Sequence, residues 1–178
     1  MTKSIDLSVD GALFDKRKQY RYLLWRNFKA CEHDNFLSIV MLNPSLADAT
    51  ADDPTIASCR RLAIANGYDG FVVTNLFAYI TPYPQLLRQA RDPIGRLWGR
   101  KNDFYMQFSQ AVSRHTLLAW GNDALFCPER IAQVLANIDP ARCLVIEMTT
   151  RGTPRHPLYV RSDTKLKKAP AILFQLPT

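Results

Sequence analysis

Four short apolar runs punctuate the chain, and amphipathic stretches lie between them. Phe36-Leu37-Ser38-Ile39-Val40-Met41-Leu42 is apolar at nearly every position, as a strand covered on both faces must be. The runs Phe71 to Phe77, Thr116 to Trp120 and Cys143 to Met148 repeat that character. Asp53-Pro54 predicts a helix start, with Asp as N-cap and Pro at the first helical position. Ile56, Cys59, Leu62, Ala63 and Asn66 follow at helical spacing, and Gly67 closes the element. Asp92-Pro93 predicts a second start, with Ile94, Leu97, Trp98, Lys101, Phe104, Phe108 and Val112 marking a long helix whose first turns Gly95 and Gly99 weaken. Cys127-Pro128 precedes a third, carrying Ile131, Val134, Leu135 and Ile138.

Strands that alternate with helices pair in parallel through right-handed crossovers. The predicted class is therefore α/β: a three-layer α/β/α sandwich around a mainly parallel four-stranded sheet. Tyr20 to Phe28 and Ala171 to Phe174 read as flanking strands, with partners that the sequence leaves open. The 178 residues fit one domain, with 1–18 as a loosely ordered N-terminal segment.

Composition refines this picture. At 47% hydrophobic residues the chain has the material for a sizeable core, which excludes global disorder. No apolar run approaches the roughly 18 residues of a membrane span, and Met1 to Asp6 lacks a secretory apolar stretch. The expectation is a cytoplasmic globule without a membrane partner. Cys31, Cys59, Cys127 and Cys143 contain no C-x-x-C pair, so they read as free thiols; no metal site and no cofactor are predicted. The net charge of +7 is compatible with a polyanionic partner. Basic residues gather in 88–101 and 142–178, whereas Asp48, Asp52 and Asp53 form an acidic spot.

Ligands on open α/β sheets bind beyond the carboxyl ends of the strands. Each such end here carries polar or turn-forming residues. They are Asn43-Pro44-Ser45 with Asp48; Asn75 with Phe77, Tyr79 and Thr81-Pro82; Trp120-Gly121-Asn122-Asp123; and Thr149 to Pro157. If the strands run parallel, these clusters meet on one rim.

The motifs Leu42-Asn43-Pro44-Ser45, Asp52-Asp53-Pro54-Thr55-Ile56, Asn75-Leu76-Phe77-Ala78, Ala119-Trp120-Gly121 and Gly152 to Tyr159 resemble the bacterial family called domain of unknown function 1643. That resemblance runs from about Tyr20 to Tyr159 and implies no activity. More distantly, the order Asn43-Pro44, Asn75, Trp120-Gly121, His156-Pro157 is similar to the uracil-DNA glycosylase superfamily. Met41-Leu42 replaces a glycine usual before the first motif, and Leu158 stands where a Ser usually follows His-Pro. The similarity thus bears on fold and reaction class without naming the base.

That reaction class, with the chemistry of the side chains, gives roles to named residues. Asn43 would orient a water, Asp48 would act as general base, and His156 would donate to the departing base. Asn75 would read the base edge, with Phe77 or Tyr79 stacking on it. Ser45, Arg151 and Arg155 would hold phosphates. Each has a plain structural counterpart: a turn at Asn43, a loop bond at Asp48, bracing at His156, core packing for the aromatics, solvation or salt bridging for the arginines.

The leading expectation is a glycosylase-like hydrolase acting on a nucleobase in nucleic acid, DNA before RNA, or in a nucleoside or nucleotide. The alternatives are a non-catalytic module that recognises a modified base or nucleic-acid end, and a magnesium-dependent phosphodiesterase using Asp48, Asp52, Asp53 and Asp123. The sequence leaves the oligomeric state open.

Overall fold

The computed structural model describes residues 5–29, 35–45, 47, 51–96 and 101–175. Ten regular elements follow one another in these stretches: β1 (Gly11–Phe14), β2 (Arg21–Asn27), β3 (Phe36–Met41), α1 (Pro54–Ala65), β4 (Gly70–Asn75), α2 (Lys101–Ala111), β5 (His115–Leu118), α3 (Pro128–Leu135), β6 (Cys143–Val145) and β7 (Lys167–Lys168). The strands form one seven-stranded mixed sheet in the order β1-β2-β4-β3-β5-β6-β7. Its core is parallel: β3 pairs with β4 on one side and β5 on the other, and β5 pairs with β6. The chain leaves β3 for β4, returns across it to β5 and continues outward to β6. The connection direction therefore reverses between β3 and β5, which opens a crevice at their carboxyl ends.

Strand alternation distributes the core to both faces. Ile39, Met41, Phe71, Val73 and Leu117 pack against Ile56, Cys59 and Leu62 of α1. The intervening Val40 and Leu118 pack with Met106 of α2 and Ile131 and Val134 of α3. Ser38 faces that second side too, and its hydroxyl pairs with Ser109 of α2 at 2.8 Å. Helix α1 starts where the Asp-Pro signal places it: Asp53 Oδ1 accepts from Ile56 N at 2.8 Å. Gly67, at φ +79°, takes the left-handed position that ends it.

Strand β2 carries one irregularity with a consequence for the site. Leu13 of β1 faces Leu23 and Phe14 faces Arg21, so Tyr22 is an extra residue, a β-bulge. Without it Arg21 would share a face with Leu23 and Trp25, which pack on the α2 side. With it, Tyr22 meets Tyr105 of α2 at 5.6 Å, and Arg21 turns to the α1 side, where its Nη1 donates to Ala47 O at 2.6 Å.

Several sequence expectations need correction. The helix expected from Asp92-Pro93 begins only at Lys101 among the described residues; Leu97, Trp98 and Gly99 lie outside them. Asp92 Oδ1 instead accepts from Gly95 N at 3.0 Å, and Gly95, at φ +86°, reverses the chain into a turn. Ala171–Phe174 is a 3-10 turn after Pro170, with Leu173 N bonded to Pro170 O at 3.1 Å; the last strand is the charged edge pair of β7, antiparallel to β6. Strand β6 stops at Val145, short of Met148. Within the segment 1–18, expected to be loosely ordered, Gly11–Phe14 forms edge strand β1. Cys59, Cys127 and Cys143 are free, and Cys31 lies outside the described residues. Among the described residues no helix is long and apolar enough to cross a membrane.

Candidate functional site

The crevice between β3 and β5 is a cleft of about 380 Å³, lined among others by Arg21, Asn43, Ser45, Asp53, Asn122 and His156. Its volume falls in the range of small-molecule sites. Residues from β2, the loop after β3, the start of α1, the turn after β5 and the loop after β6 all contribute.

The orientation of each polar group follows from its partners. Asn43 Nδ2 donates to Thr81 O at 2.7 Å and to Pro44 O at 3.0 Å. Both partners are carbonyls, so the nitrogen must be the atom facing them, and Oδ1 is left as an acceptor without a partner among the described residues. Asn122 is held in the opposite sense. Its Oδ1 lies 2.8 Å from Thr149 Oγ1 and 2.6 Å from Thr153 Oγ1. Thr149 Oγ1 already accepts from the amides of Arg151 and Thr153, both at 3.3 Å, so its own hydrogen goes outward to Asn122. That leaves the Asn122 amide Nδ2 as the unused donor.

His156 is set by its own loop. Leu158 N donates to His156 Nδ1 at 3.2 Å, which requires Nδ1 to be unprotonated and puts the ring hydrogen on Nε2. Burial lowers the His156 pKa, opposed by Asp53 and Asp123, which favours this neutral donor form. The loop is pinned from three sides. Gly121 N bonds to Pro154 O at 2.9 Å, Arg155 N to Glu147 O at 2.9 Å, and the buried Ser58 of α1 to Pro157 O at 2.7 Å. Gly121 sits at φ +73°, and a Cβ there would stand 3.2 Å from the His156 Cβ. Glycine at this position serves both the backbone turn and the close approach of the histidine.

Asp53 has both carboxylate oxygens engaged, one by Ile56 N and the other by Ser45 Oγ. The Ser45 hydrogen expected to meet a phosphate is therefore committed to Asp53. Arg21 is 2% exposed and lines the cleft.

The family profile described as a protein of unknown function, DUF1643, matches residues 21–158. The chain belongs to the DUF1643 family. No curated protein and no solved structure matches it. The matched segment of this DUF1643 chain begins at Arg21 and ends at Leu158, both of which line the cleft.

The remaining residues singled out in the sequence lie elsewhere. Asn75, the last residue of β4, is 1% exposed and does not line the cleft. Its Oδ1 is buried without a hydrogen-bond partner, and its carbonyl accepts from Asn102 Nδ2 at 3.0 Å. Phe77 is a core residue stacked on Phe126 at 5.4 Å. Tyr79 is half-buried and meets Tyr20 edge-on at 5.8 Å. Arg151 is exposed, and Arg155 is paired with Glu147. Asp48 lies outside the described residues. Of the proposed magnesium ligands, Asp52 is bonded to Arg26 and Arg60, and Asp53 is engaged as above. Among the described residues no cluster of three His, Cys, Asp or Glu side chains forms a metal-ligating group.

Sequence reading missed Arg21, because the bulge inverts the strand alternation from which its face would be inferred. It also missed the bonding sense of Asn122, which depends on two threonines from another loop.

Proposed function

We propose that this cleft hydrolyses an N-glycosidic bond, releasing a nucleobase from a nucleotide or from nucleic acid. The observation that carries the reading is the pairing of an unused acceptor, Asn43 Oδ1, with a neutral imidazole donor, His156 Nε2, in one small cleft. In such a reaction the C1′–N bond breaks and its electron pair moves onto the base. Water adds to C1′ and loses a proton. Asn43 Oδ1 accepts a hydrogen from that water and so directs an oxygen lone pair toward the sugar. His156 Nε2–H donates to the charge developing on the base, where one well-placed donor is worth about 3 kcal/mol. Asn122 Nδ2 offers the donor to read the base edge, a role that the sequence assigned to Asn75. Asp48 remains the proposed general base.

The likeness to the uracil-DNA glycosylase superfamily belongs to this proposal. In its favour are the parallel strand core and the gathering of Asn43, Trp120-Gly121 and His156 around one cleft. The test is a screen of nucleotides and of oligonucleotides carrying varied modified bases, with free base read by mass spectrometry. Release that is lost in His156→Ala and Asn43→Ala supports the reading. Full activity in both variants, or no release from any substrate, overturns it. Tight binding without release gives the site to the recognition-module alternative.

A further inference from the structure

Among the described residues three arginines are almost wholly buried, and two of them are neutralised: Arg26 by Asp52 at 2.8 Å and Arg130 by Asp103 at 2.6 Å. Arg21 is the third. Among the described residues no carboxylate forms an ion pair with it. Of the five N–H donors of a guanidinium, one is used, by Nη1 on Ala47 O. Its Nε is buried without a partner. Asp53 acts on Arg21 only at longer range, and its own oxygens are taken by Ser45 and Ile56 N. A buried charge left in this state is costly, and folds retain one where something completes it.

The surroundings say what completes it. Arg21 faces the cleft, and the amino end of α1, capped by the Asp53 carboxylate, borders the same cleft through Thr55 and Ile56. A guanidinium with unused donors matches the oxygens of a phosphate, which accept from it and carry the opposite charge. The β-bulge at Tyr22 turns this side chain to the cleft side of the sheet, a task that bulges commonly perform beside functional sites.

We infer that Arg21 anchors a phosphate monoester, so that the ligand of the cleft is a phosphorylated nucleoside rather than a neutral nucleoside or an internal base of a duplex. The nucleoside half of this assignment rests on the function proposed above; the phosphate half stands on Arg21 and its surroundings. A phosphate monoester has two sources, a free nucleoside 5′-monophosphate and the 5′-phosphorylated end of a strand.

Calorimetric titration separates them. The probes are nucleoside 5′-monophosphates, the parent nucleosides, and short single strands with and without a 5′-phosphate. The expected result is binding of one phosphorylated class about 100-fold tighter than its unphosphorylated parent, with that difference abolished in Arg21→Met. Preference for the free nucleotide identifies a small-molecule site; preference for the phosphorylated strand identifies a nucleic-acid end. Either outcome supports the inference even where no base is released, so failure of the hydrolase reading is seen separately. Equal affinity for phosphorylated and unphosphorylated probes overturns it, as does a preference that survives in Arg21→Met. If Arg21→Met does not fold by circular dichroism, Arg21→Lys is read instead. It should keep the charge but lose the fork, weakening phosphate binding about tenfold; unchanged affinity there overturns the inference.

Discussion

Arg21 and Arg130 are both 2% exposed, and both lie near the carboxyl ends of core strands, yet their donors are used differently. Arg130 gives Nε to Leu76 O at 2.9 Å and Nη2 to Asp103, while Asn102 holds the carbonyls of Asn75 and Leu76 at 3.0 and 3.3 Å. Its bonds hold together the turn after β4. Among the described residues Arg21 touches one carbonyl and leaves its other donors unused. Burial lowers the pKa of both; for Arg21 it falls to about 10, which still leaves the side chain charged at neutral pH. An arginine whose charge is met inside the protein is structural, whereas one left without an ion-pair partner beside a cleft is poised for something from outside. Asn43 and Asn122 follow the second pattern, each with half of its carboxamide fastened by the protein and half unused.

The contrast is open to direct challenge. The largest effect is expected in catalysis: His156→Ala should lower turnover roughly 10²–10³-fold while ground-state binding changes little. Loss of binding in equal measure would make the histidine a structural brace like Asn102. Stability comes next. Arg130→Met should cost about 2 kcal/mol in urea unfolding, because it leaves Asp103 with Arg96 alone and the Leu76 carbonyl with Asn102 alone. Arg21→Met should stay within about 1 kcal/mol of the parent, because the charge it removes has no ion-pair partner among the described residues. Equal losses in the two variants would erase the distinction between the arginines.

Protonation offers a finer probe. The folded pKa of His156 lies below its ordinary value of 6.5, so between the two values the unfolded chain binds more protons. Stability should therefore fall as pH drops below about 6.5, and His156→Gln should flatten the decline. Part of the slope should persist, because burial also lowers the pKa of His115. Urea midpoints measured from pH 5 to pH 7.5 decide this; an unchanged slope in His156→Gln would mean that the imidazole is not held neutral. The smallest effects belong to the exposed arginines. Arg151→Ala and Arg155→Ala should reduce the log–log salt slope of any nucleic-acid binding by at most about one each, without altering base preference. A change in preference would bring them into the recognition surface.

Much of this arrangement is legible in the sequence, because local rules decide it. The apolar runs give the four parallel strands, Asp53-Pro54 marks the start of α1, and all four polar clusters at strand ends supply residues to the cleft, the second only through Thr81 and Pro82. The failures have nonlocal causes. Asp92-Pro93 carries the same helix-opening signal as Asp53-Pro54, yet Gly95 diverts it into a turn. Phe77 follows the polar Asn75 but packs inward onto Phe126, a partner far along the chain. Arg21 looks like an inward residue of the opposite face until the pairing with β1 shows Tyr22 to be supernumerary. The unused atoms of Asn43 and Asn122 emerge only once Thr81, Thr149 and Thr153 claim the others.

The cleft also joins distant parts of the chain, since Arg21 and Leu158 border it together with residues that follow β3 and β5. A ligand seated there contacts pieces that come together only in the fully assembled sheet. Its binding energy should therefore appear as slower hydrogen exchange across the whole parallel core, rather than as local protection of one loop. Amides of β4 and β6, whose own residues do not line the cleft, would then be slowed by the same factor as those of β3 and β5. Such uniform slowing would identify the cleft as a clamp on the cooperative unfolding of the domain.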